Sequence, residues 1–168
     1  MSLIKIFAYQ AWANRDLLEK LDALRKGTEN DLYRDALQLM NHTTTVARIF
    51  SAHLQGTPHD FATDGSQDAP PIESLRQATT TSDQWYLDYV TETAPEVLRQ
   101  TVAFTFTDGD HGLMSRLEML YHVAFHSGYH RGEIGRLLRA ASIMPPWDTF
   151  AVYIHRSEPE RREVMPAS

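Results

Sequence analysis

The chain has 168 residues, 42% of them hydrophobic, enough for one domain with a substantial core. Its net charge of −6 and the lack of a long basic run argue against nucleic acid as a partner. No cysteine occurs, so disulfides, thiolate ligands and a protein-borne thiol nucleophile are excluded; histidine and carboxylate remain for any metal.

No apolar run reaches the length of a membrane span, and MSLIKIFAYQAW has none of the regions of a signal peptide. A cytoplasmic location without membrane attachment is the expectation. From Leu3 to Arg25, Ile4, Phe7, Ala11, Leu18 and Leu21 follow helical spacing. Asn14 falls within that stripe and needs a hydrogen-bond partner inside the fold. Gly27 breaks the pattern. A second helix is expected from Asn30 to Leu54, ending at Gly56 and Pro58. Its stripe of Leu32, Ala36, Leu39, His42, Val46 and Ile49 or Phe50 turns His42 inward. His53, eleven residues on, is too far along the axis to share a ligand with His42, and it reads with His59 as a surface or packing residue. The polar segment 57–71 is long for a connector and is expected to line something.

A third helix follows from Ile72 to Thr93, with Leu75, Trp85, Tyr86, Tyr89 and Val90; Pro95 opens at most one further turn. Val102, Phe104 and Phe106 alternate with Ala103 and Thr105, which predicts a short strand. Asp108-Gly109 then turns the chain and Gly112 to Met114 pair back as a hairpin. Ser115 and Glu118 form a capping box at the start of a fourth helix that runs to about Ala141. Pro145-Pro146 cannot continue it. Trp147 to His155 forms a last apolar segment, a short helix capped by Asp148. Residues 1–157 are expected to form a single domain and 158–168 a flexible tail.

The fourth helix carries His122, His126 and His130 at four-residue intervals, so neighbours stack on nearly one face. Any two one turn apart suit a shared metal. Met119, Val123, His126, His130, Ile134 and Leu137 form one stripe, which selects His126 and His130 and leaves His122 to pack beside them. With His42 from the second helix, three imidazoles converge and leave a coordination position open, as catalytic rather than structural sites do. Glu133 lies within reach of a general-base role, although a solvated or salt-bridged side chain is the simpler reading. Arg131 is expected to pair with a carboxylate or to meet an anionic substrate. Asp148 is expected to cap a helix or to orient an imidazole.

Tyr9…Trp12-Ala13-Asn14, Asn41-His42, His122-x₃-His126-x₃-His130-Arg131-Gly132-Glu133 and Pro145-Pro146-Trp147-Asp148 occur in this order at these separations. Together they resemble the DinB/YfiT-like superfamily of metalloenzymes over nearly the whole chain. The resemblance implies an all-α fold, an up-down-down-up four-helix bundle, here with a short β-hairpin before the last long helix, and a homodimer. It implies metal ligands at His42, His126 and His130, the three the stripes select. Zinc or nickel is the first expectation, with iron, cobalt or manganese also compatible with imidazole ligands. The resemblance implies a transferase or isomerase that uses a low-molecular-weight thiol on a small-molecule substrate. A metal-dependent hydrolase and a non-enzymatic stress-response protein are the alternatives. Two positions depart from the family pattern: Glu133 where glutamine is frequent, and Ser142 where glycine often ends the helix.

Overall fold

The computed structural model describes residues 2–25, 30–65 and 70–162. The structure is mostly helical, with a small two-stranded antiparallel sheet. The long helices are α1 (Leu3–Arg25), α2 (Asn30–Gln55), α3 (Ile72–Glu92) and α5 (Arg116–Ala140). Between α3 and α5 come the single turn α4 (Pro95–Leu98) and the strands β1 (Thr101–Thr105) and β2 (His111–Ser115). After α5 follow α6 (Phe150–Ser157) and a 3₁₀ turn, Pro159–Arg162. Each of α1 and α2 packs on both α3 and α5 and on the other. None of the described helices is long and apolar enough to cross a membrane. Gly27 and residues 163–168, the end of the expected tail, lie outside the described residues.

The local signals act where the sequence puts them. Gly56 takes φ +68° after α2, and Gly109 takes φ +96° in the turn of the hairpin. There β1 and β2 pair from Thr101↔Ser115 to Thr105↔His111. Phe106 lies one residue beyond β1, where its amide donates to the Asp110 carbonyl and its ring is largely exposed. Ser115 Oγ accepts from the Glu118 amide while the Glu118 carboxylate accepts from the Ser115 amide, which closes the box that starts α5. At the other end the Ile143 amide reaches the Leu138 carbonyl and the Ser142 amide the Arg139 carbonyl, a Schellman closure. It holds Ser142 at φ +59°, a left-handed conformation that glycine adopts freely and serine does not.

The core is divided into three levels. One apolar cluster contains Leu17, Leu21, Met40, Leu75, Ile134 and Leu138. A second contains Phe7, Phe50, Tyr86, Phe104, Met119 and Val123. Between them every long helix contributes buried polar groups: Gln10 and Asn14 from α1, Thr43 and Thr44 from α2, Thr79 and Asp83 from α3, Ser127 and Arg131 from α5. Such groups must find partners inside. Asn14 Nδ2 donates to both oxygens of Asp83 at 3.0 Å, and Thr44 and Thr79 share a hydrogen bond of 2.9 Å. Arg131 donates to Asn14 Oδ1 at 3.3 Å and, through Nε, to Asp148 Oδ2 at 2.7 Å. Burial pushes the Asp83 carboxyl up to about 6 against the opposing pull of Asn14, Gln10 and Arg131. The partner required by Asn14 is therefore Asp83 of the neighbouring helix.

This polar level changes which face of each helix is inside. The buried column of α5 runs through Val123, Ser127, Arg131 and Ile134, and His126 and His130 stand half-buried at its edge. On α1, Gln10 is buried where Ala11 was expected, and Ile4 is 43% exposed. On α2 the column is Ala36, Met40, Thr43, Thr44, Ala47 and Phe50, with His42 beside it. The histidines thus sit level with the polar layer and outside the apolar core. Arg131 pairs with a carboxylate, as expected, and does so enclosed in this layer.

Asp148 neither caps a helix nor touches an imidazole. Thr149 caps α6, its side chain accepting from the Val152 amide. Asp148 instead receives the Arg131 guanidinium and the Tyr9 hydroxyl. Burial, with Asp148 alongside, pushes the Tyr9 hydroxyl up to about 12.

Candidate metal centre

α2 and α5 pack side by side, so His42 meets His126 and His130 across their contact. The Nε2 atoms of His42 and His126 are 3.2 Å apart, and those of His130 and His126 are 3.1 Å apart. Among the described residues these three form the group that could hold a metal ion. The edge of a tetrahedron with its centre 2.0–2.1 Å from imidazole nitrogens is about 3.3 Å. The observed spacing fits it.

The protons decide what such nitrogens can do. His42 Nδ1 lies 2.8 Å from the Asp64 carbonyl, which only accepts, so this nitrogen carries the hydrogen. His130 Nδ1 lies 2.5 Å from Glu133 Oε2, and the carboxylate places the hydrogen there in the same way. In a neutral ring the other nitrogen is then a bare lone pair. Two Nε2 lone pairs therefore face His126 Nε2, which has at most one hydrogen to offer them. His126 is pushed down to about 4, by burial first and then by the nearby His130, His42 and His122. Protonating His126 is thus opposed, and converging lone pairs are what a cation would satisfy.

His122 is apart from this group. Its ring packs on Phe50, centroids 4.5 Å apart, and beside His126 at 5.4 Å, and burial holds its pKa down. His53 packs against His59 and Phe104, away from the cluster. His111 is exposed beside Thr105.

Family profiles match residues 1–163 to the DinB family. The chain belongs to the DinB family. Searches of curated proteins and of solved structures return no match.

Two features of this DinB-family site escape the side-chain pattern. One is the Asp64 carbonyl, supplied by the long segment after α2 whose length predicted a lining role. The other is the partner of Glu133: the side chain is ion-paired, as the simpler reading had it, and the group it pairs with is the far nitrogen of His130. A partner of this kind fixes ring orientation and raises ligand basicity, and its loss typically costs 10–100-fold in metal affinity. Glu133→Gln should therefore weaken metal binding by roughly 10–100-fold in a competition titration against a chelator. An unchanged affinity would show that the Glu133 contact does not support the ligand.

Proposed function

We propose that this protein is a metal-dependent enzyme of the DinB family in which His42, His126 and His130 are the ligands. The observation that carries the reading is the convergence of three imidazole Nε2 atoms, with the tautomers of His42 and His130 set from outside. Zinc or nickel is the preferred ion, since neutral imidazole suits both. The reaction is the transfer of a low-molecular-weight thiol to a small electrophile, or an isomerisation through such an adduct. A divalent ion at this position supplies a Lewis acid and a place where a thiol is held as thiolate near neutral pH. The chain's own groups do the positioning. Asp64 and Glu133 fix two imidazoles, and a cleft of about 550 Å³ bordered by His42 and Glu133 gives a small molecule access. With no cysteine in the chain, sulfur must come from the cosubstrate.

The four long helices are read as an up-down-down-up bundle, and the working form as a cytoplasmic homodimer. Tyr121, Phe125 and Tyr129, one turn apart on α5 and all exposed, offer the second copy an apolar face. A stress-response setting accords with thiol transfer to reactive electrophiles.

The test is turnover of model electrophiles by the metal-loaded protein with and without an added small thiol. Product formation that needs both metal and thiol is expected. Turnover without thiol would replace this reading with a metal-dependent hydrolase, and a bound metal with no turnover of either kind would leave a binding protein.

A further inference from the structure

Among the described residues, the cleft beside the three imidazoles contains one charged side chain without an ionic partner, the exposed Arg136. It opens between α2 and α5 and is lined by Asp35, Gln38, Leu39, His42, Glu133 and Arg136, among others. Its charged side chains are Asp35, Glu133 and Arg136. Glu133 is committed to His130 at 2.5 Å, and Asp35 faces Arg34 at 3.8 Å. The Arg136 guanidinium makes no ion pair or hydrogen bond among the described residues. Glu133 and Arg136, three residues apart, are neighbours on the surface of α5, and both border the cleft with His42. The rise from His130 to Arg136 is roughly 9 Å. A small molecule with its donor atom at the imidazole cluster would have its far end beside this arginine.

We infer that this cleft is the substrate subsite and that Arg136 selects a small thiol bearing a carboxylate. The inference rests on the thiol-transfer reading and adds the class of thiol. Arginine presents a planar fork that matches a carboxylate with two parallel hydrogen bonds, and its charge does not titrate away. In a chain of net charge −6, an anionic substrate meets a repulsive field unless a local cation offsets it. Arg136 is also positioned to choose between openings, because it borders a second groove with Arg139 and Pro145 on the other side of α5.

The experiment uses the cobalt(II)-loaded protein, whose absorption spectrum reports sulfur binding without turnover. Mercaptosuccinate and the neutral 2-mercaptoethanol are titrated separately. Arg136→Gln should weaken mercaptosuccinate binding about tenfold or more, the size expected for losing a charge-assisted hydrogen bond, and leave 2-mercaptoethanol unchanged. Arg136→Lys should recover part of the loss, since it keeps the charge without the fork. Arg139→Gln, in the second groove, should bind both thiols like the wild type. Equal weakening of both thiols, or of neither, in Arg136→Gln would overturn the carboxylate role while leaving the thiol reading in place. Failure of the loaded wild-type protein to respond to either thiol would overturn both.

Discussion

His126→Ala should strip the protein of its metal. Elemental analysis of untagged wild type is expected to find about one ion per chain, following the one three-imidazole cluster among the described residues, and dialysed His126→Ala to find none. His126 is the member on which both Nε2 approaches converge, at 3.2 and 3.1 Å, so its removal leaves His42 and His130 without a common neighbour. The loss should exceed the roughly 10–100-fold expected for the outer partner Glu133. His122→Ala should keep the ion, since that ring packs on Phe50. Full metal retention by His126→Ala would remove the centre from this position. Acid gives an independent reading on the metal-free chain. The His126 pKa is held below its ordinary 6.5, at about 4, so its contribution to stability is present above pH 6.5. It is lost as the pH falls through 4. The metal-free wild type should therefore lose stability relative to His126→Ala across that window.

Arg131→Ala should be the most damaging single change in the fold, at about 3–5 kcal/mol, the cost of leaving a buried charge without its partner. Its side chain is 2% exposed and spans Asp148 at 2.7 Å and Asn14 at 3.3 Å, with the Tyr9 ring 5.5 Å from the guanidinium carbon. Removing it strands the Asp148 carboxylate and takes one partner from the Asn14–Asp83 pair, so one substitution reaches α1, α3 and the segment before α6. Urea denaturation of the metal-free variant at neutral pH measures this directly. A loss below about 1 kcal/mol, the range of a surface ion pair, would show that the polar layer carries no such weight.

The elements were readable because local chemistry marks them. Ser115 and Glu118 announce the start of α5, Asp108-Gly109 the hairpin, and Gly56 the end of α2, each through a bond or backbone angle the structure contains. The departure at Ser142 was visible too, and the left-handed angle there explains why glycine is the easier residue. The inner face was harder to read. Hydropathy places Ser127 and Arg131 outside, whereas both are enclosed, and Arg131 is met there by Asn14 of α1 and by Asp148. Met119, Val123, Ile134 and Leu137 of the expected stripe are buried, and only at the polar level do Ser127 and Arg131 stand inside, one position and about 100° around the helix from His126 and His130. The three histidines still emerged as a set, since spacing along α5 and the register of α2 bring them together even at the edge of the core. For the Asp64 contact the length of segment 57–71 signalled a lining role, but nothing singled out the residue. A carbonyl is present in every residue, and only the path of the chain decides which one meets His42.

The ion pair between Lys5 and Glu158 joins positions 153 residues apart at 2.7 Å. Beside it, Tyr9 on α1 packs against Phe150 and Tyr153 of α6, and its hydroxyl meets Asp148. The first and last helices are thus fastened to each other as well as to the rest. The dependence is one-sided: unwinding the start of α1 would remove what holds α6, whereas detaching α6 would uncover the aromatic face of an α1 still packed on α2, α3 and α5.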